Sequence, residues 1–300
     1  MTTHFSPTRI FACAGVHEDL EALTAFTEFV RQESGDLILI AGNILLKPYG
    51  KGDLADYETA RGTGHPNPPQ MLLDAAHRKA EKVLPQVRKI LEDAGMPYRV
   101  VHGTYDPLLE RYFDSRDLHK KMFDIRGGAR ISGYGGGETF APHIEPLTWP
   151  REKIGLYGFV GGFHRDEMFA HFTDASKRAA IWLTHVAPSG ICDGDDHGGS
   201  ERLLAAINRA RPDLVVCGTP YNGSSSRRQA WGPSFHAETQ WDSHEGKRWR
   251  RCVVNAGNLG RYDLFTRMLD ALDAGVGKYG SFVRLTVDAE GSQLALQTFW

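Results

Sequence analysis

The feature that most constrains the fold is a succession of short apolar runs, most of which end in glycine or a polar loop. They are RIFACAG (9–15), DLILIAG (36–42), YRVVHG (98–103), ARISGYGG (129–136), EKIGLYGF (152–159), AAIWLTH (179–185), DLVVCG (213–218), RCVVNAG (251–257), GSFVRLTVD (280–288) and a closing QLALQTFW. Runs this short, β-branched and continuously apolar read as strands buried on both faces. Helical spacing appears between several of them. Leu20, Leu23, Phe26 and Val30 share one face of 19–34. The stretches 69–94, 199–212 and 262–274 read as further helices, the first interrupted or kinked at Pro85 and the second stopped by Pro212. The polar, Gly- and Pro-rich segment 50–69 reads as a long loop, and loops of that length are often functional. The order is β-α-β-α-β followed by more strands with fewer helices. That predicts an α/β fold, one domain over 1–300, with a mixed sheet or two packed sheets.

Composition narrows the function classes. The net charge of −2 gives no basic field to attract nucleic acid. The basic runs SSSRR (224–228) and KRWRRCVV (247–254) read as surface and strand alternation, so nucleic-acid binding is not expected. No apolar run approaches the roughly 20 residues that span a bilayer, and MTTHFSPTR lacks the layout of a signal peptide. Cys13, Cys192, Cys217 and Cys252 form no C-x-x-C pair and read as reduced thiols. A cytoplasmic location follows as the expectation.

In open α/β sheets, ligands gather beyond the carboxyl ends of the strands. The residues there are Ala14-Gly15-Val16-His17, Gly42-Asn43, Gly103-Thr104-Tyr105-Asp106, Thr184-His185-Val186, Gly218-Thr219-Pro220-Tyr221 and Asn255-Ala256-Gly257-Asn258. Their order resembles the motifs of the calcineurin-like metallophosphoesterases: D-x-H, G-D, G-N-[H/C]-D, a lone H, and G-H-x-H. LTHVAPSG, HGGSERLLAAI, RPDLVVCG and VVNAGNLGR support the resemblance along almost the whole chain. It implies a four-layer α/β/β/α sandwich of two mixed sheets around a two-metal phosphoesterase site.

The ligand positions depart from that pattern. Gly15 stands for the first Asp, Asn43 for the bridging Asp, Thr104 for the Asn, and Thr219 and Tyr221 for the last two His. Only His17 and His185 remain of the seven positions, and none of the seven carries a carboxylate. Two neutral imidazoles fall short of an ordinary zinc site. The two-metal chemistry is expected to be absent, with no cofactor. The resemblance, so corrected, implies a non-catalytic protein that binds a small polar or phosphate-bearing ligand in the emptied cleft, or a protein partner. The rival is a hydrolase with one divalent ion (Mn, Zn or Mg) on His17 and His185, or with those histidines as acid and base.

Other groups near the strand ends have plainer readings. Asp106 before Pro107 reads as a helix N-cap. Tyr105, where relatives carry a His or Cys, is a poor acid. GYGGGE (133–138) lacks dinucleotide-loop spacing and reads as a glycine turn. Asp193, Asp195, Asp196 and His197 read as a solvated loop and helix start; as a metal site they would suit calcium or magnesium.

Overall fold

The computed structural model describes residues 8–46, 51–125, 129–139, 162–193, 199–218, 234–238, 251–260, 281–288 and 291–298. The first apolar run forms β1 (Thr8–Cys13), followed by helix α1 (Leu20–Gln32) and β2 (Leu37–Ala41). Two helices, α2 (Lys51–Gly62) and α3 (Pro68–Asp93), precede β3 (Tyr98–Val101). A short helix α4 (Glu110–Phe113) leads to β4 (Met122–Asp124), β5 (Arg130–Tyr134) and β6 (Gly137–Thr139). Then come β7 (Gly162–His164), α5 (Arg165–Thr173), β8 (Ile181–Thr184), α6 (Glu201–Ala210) and β9 (Leu214–Cys217). Strands β10 (Ser234–Glu238), β11 (Arg251–Asn255), β12 (Ser281–Asp288) and β13 (Gly291–Thr298) complete the described elements.

Two mixed sheets result. One runs β13-β12-β1-β2-β3, with β1, β2 and β3 parallel and β12 antiparallel to both neighbours. The other runs β10-β11-β9-β8-β5-β4, with a parallel centre and antiparallel edges. Both faces of each sheet are covered, which is why the central strands are apolar without alternation. Between the sheets lie Ile10, Leu39, Ile131, Leu183, Leu214, Val216 and Leu285. Outside the first sheet, Phe11, Ile38 and Tyr98 pack on Leu23 and Phe26 of α1 and on Leu84, Val87 and Leu91 of α3. Outside the second, Trp182 and Val215 pack on Met168 and Phe172 of α5 and on Leu203 and Ile207 of α6. The Phe172 and Trp182 rings stack at 4.2 Å. This is the expected α/β/β/α order of layers.

Three local expectations need correction. The segment 50–69 is not a long loop: α2 occupies most of it, because Tyr57 finds a buried face against Leu72 and Ala75 of α3. Of the two expectations at Pro85, the interruption is not met: α3 is one helix through Pro85, which is exposed while Leu84 and Val87 pack in the core. GYGGGE is only in part a turn, since Gly137–Thr139 pairs in parallel with Gly162–His164. The expected strand at 152–159 and helix at 262–274 lie outside the described residues. Among the described residues, no helix is long and apolar enough to cross a membrane.

Candidate functional site

Parallel β1, β2 and β3 deliver Gly15, His17, Asn43, Thr104, Tyr105 and Asp106 to one end of the first sheet. β8 and β9 deliver His185 and Gly218 from the second. The two ends meet: the His185 ring reaches both Ala41 and Thr104. Tight turns hold the loops together. Gly15 N donates to Gly42 O at 2.9 Å, His17 N to Asn43 O at 3.1 Å, and Gly260 N to Gly15 O at 2.8 Å. His17, Glu18 and Asn43 all adopt left-handed φ values, 52°, 64° and 51°. Such residues cost about 1–3 kcal/mol each and cluster where a site over-determines the backbone.

His185 is a satisfied, neutral imidazole. Its Nδ1 lies 2.8 Å from the Ala41 carbonyl, which can only accept, so Nδ1 carries the proton. Its Nε2 lone pair then accepts the Thr104 hydroxyl at 3.1 Å. Complete burial pushes the His185 pKa down to about 4, partly offset by the bond to Ala41.

Asp106 is not a helix cap. Helix α4 starts beyond it, and its cap position, Leu109, makes no side-chain bond. The Asp106 carboxylate instead faces the loop after β2. It accepts Ile44 N at 3.0 Å, Leu45 N at 2.8 Å and Gly103 N at 2.7 Å. Burial raises its pKa to about 6, while these donors pull it down. Asn43 Oδ1 faces the Tyr105 N–H at 3.4 Å. Tyr105 itself is buried.

Glycines set the spacing. A Cβ at position 15 would lie 2.1 Å from Asn258 Oδ1 and 3.0 Å from His17 Cε1. The space beside Gly15 is therefore taken by the side chain of Asn258, which pattern matching left as part of a turn. A Cβ at 103 would meet Asn43 Oδ1 at 2.3 Å. His17, Asn43, Thr104, Tyr105, Asp106 and His185 are all at most 5 % exposed.

Thr219 and Tyr221 lie outside the described residues, as do Asp195, Asp196, His197, 224–228 and 247–250. Asp193 is described: its Oδ2 accepts Gly190 N at 2.7 Å and Gly199 N at 3.3 Å, which fits a loop-closing role. Among the described residues, no group of three or more His, Cys, Asp or Glu side chains is placed to hold a metal ion. Sequence reading also missed a row of rings behind the site. His102 and His119 lie 4.5 Å apart, His119 and Tyr134 4.7 Å, and Tyr134 and His171 5.4 Å. Their sequence separation hides this contact.

Comparison with known proteins agrees with the geometry. The family model described as metallophosphoesterase, calcineurin superfamily, matches residues 3–230. One solved structure is 16% identical, covers 98% of this chain and 100% of its own, and superposes with a TM-score of 0.62. TT1561 of Thermus thermophilus is 17% identical over 97% of this chain and 99% of its own, with a TM-score of 0.52. A dimetal phosphatase from Danio rerio is 11% identical over 98% and 99%, with a TM-score of 0.49. A search of curated proteins finds no match. Identities this low speak to fold alone, but the family model spans most of the chain. The chain belongs to the calcineurin superfamily of metallophosphoesterases.

Proposed function

We propose that this chain is a non-catalytic member of its family that binds a small polar ligand at the strand ends. The observation that carries the reading is the Thr104–His185–Ala41 relay. A histidine whose Nδ1 donates to a carbonyl keeps one lone pair, on Nε2, and here that lone pair accepts the Thr104 hydroxyl. The neighbouring groups point the same way. Both Asp106 oxygens accept backbone N–H groups, and Gly15 leaves its space to Asn258. This donor set does not fit two closely spaced divalent ions, whose charge needs carboxylates and a bridging hydroxide. What remains is a set of buried hydrogen-bonding groups on strained loops. It suits a ligand recognised by hydrogen bonds, a phosphate-bearing one included. The free cysteines, three of them buried, support a reducing, cytoplasmic setting.

The test joins two measurements on the purified chain. Hydrolysis of bis(p-nitrophenyl) phosphate with added Mn should stay at the blank rate, and His17→Ala should not change it. Native mass spectrometry should show a co-purifying small molecule that His185→Ala loses. Metal-dependent turnover abolished by His17→Ala would overturn the non-catalytic reading. A chain that carries no small molecule under any mild preparation would overturn the binding one.

A further inference from the structure

The polar groups of the site are buried in a closed arrangement, so any ligand needs an opening. Helix α3 points to the element that provides it. Its 26 residues span about 39 Å. Strands β1, β2 and β3, at 6, 5 and 4 residues, span only about 13–20 Å. The carboxyl end of α3 lies beside the start of β3, where Arg116 reaches both Glu92, at 3.4 Å, and the ring of Tyr98, at 5.3 Å. Lys79 meets Glu18, in the loop after β1, at the opposite end of the strands. The helix therefore overhangs the site end of the sheet. From Ala80 onward its buried face packs in the core with Leu84, Val87 and Leu91. Before Ala80 it packs chiefly on α2, through a separate small cluster of Tyr57, Leu72 and Ala75. Asp53 of α2 faces Arg78 at 3.7 Å.

We propose that the α2–α3 hairpin, residues 51–80, is a cap that opens as a unit over the strand-end site. Glu18 is the latch. It follows His17 directly, holds Lys79 of the hairpin, and accepts Leu46 N at 2.9 Å from the loop that leads to α2. Opening breaks the contact that ties the hairpin to the His17 loop. The pivot is the turn Glu81–Pro85. Pro85 has no N–H for the Glu81 carbonyl, so this turn lacks one backbone bond and bends most easily. The role of the opening in ligand entry rests on the binding reading above; the opening itself does not.

Hydrogen exchange on the full chain tests the cap without any ligand. Backbone amides of 51–80 should exchange together, well ahead of 86–93. Lys79→Met keeps the aliphatic stem and removes the latch. It should speed exchange of 51–80 by about fivefold or more, as expected for loss of a partly buried ion pair of about 1 kcal/mol, and leave 86–93 unchanged. Pro85→Ala restores the missing donor and should slow the same segment, a sign that general destabilisation would not give. Diethyl pyrocarbonate labelling of His17, read by peptide mass spectrometry, should rise with Lys79→Met and fall with Pro85→Ala. Exchange of 51–93 as one block, or equal acceleration of both segments in Lys79→Met, would overturn the cap. Hairpin opening with unchanged His17 labelling would overturn its role as the gate.

Discussion

At Gly15, the position read as resembling the family's first acid, the space for a side chain is taken by Asn258. Gly15 sits at φ +52°, and a Cβ there would lie 2.1 Å from Asn258 Oδ1. Restoring the acid alone should therefore fail. Gly15→Asp meets both a left-handed backbone and an occupied space, and we expect a loss of about 2–4 kcal/mol of stability. Urea unfolding with an unchanged m-value checks it; a change below about 0.5 kcal/mol would mean that Asn258 yields readily. The strand-end positions of Gly15, Asn43 and Thr104 were legible in the sequence, because those residues directly follow the apolar runs. What fills the space beside Gly15 was not. Asn258 lies far along the chain and reaches Gly15 only through the fold. Asp106 shows the opposite failure. Its Asp-Pro context reads locally as a cap, yet its carboxylate bonds Ile44 and Leu45 across 62 and 61 positions of sequence.

At the scale of elements, strand positions were legible because apolar runs buried on both faces leave little choice. The helix start at GGSE was legible for a local reason too. Ser200 is the N-cap of α6, its hydroxyl accepting Leu203 N at 2.9 Å. Ser200→Ala should cost about 1 kcal/mol, seen as a lower urea midpoint, while Ser200→Gly should cost only a few tenths. Equal losses for the two would assign Ser200 a packing role instead. Helix α2 was illegible because its sequence, KGDLADYETARG, is polar and rich in turn formers. Its helical state depends on the small apolar contact of Tyr57 with Leu72 and Ala75, a tertiary effect that overrides weak propensity.

For the whole molecule, buried histidines set the response to acid. Burial lowers the pKa of His119, His171 and His185 to about 4 and that of His102 well below its usual value. Gly135 N also donates to His119 Nδ1 at 3.1 Å, a bond that only the neutral ring can accept. In the unfolded chain these rings take protons near about pH 6.5. Their contribution is therefore whole above about pH 6.5 and is lost as pH falls toward about 4. Asp106 and Asp117, raised to about 6 by burial, act in the other sense between about pH 6 and 4. The four histidines begin to count as pH falls through about 6.5; among the described residues Glu138, also raised by burial, joins the two aspartates against them. Urea midpoints measured stepwise from neutral pH down to about pH 5 should fall steadily. A flat or rising series would contradict a net histidine contribution.

The central claim is that the polar groups at the strand ends satisfy one another and leave no two-metal centre. Metal stoichiometry tests it most directly. The chain is dialysed against excess Mn or Zn, desalted, and read by inductively coupled plasma mass spectrometry. The account predicts well under one tightly held ion per chain, unchanged by His17→Ala. Two ions per chain, lost when His17 or His185 is replaced, would contradict it.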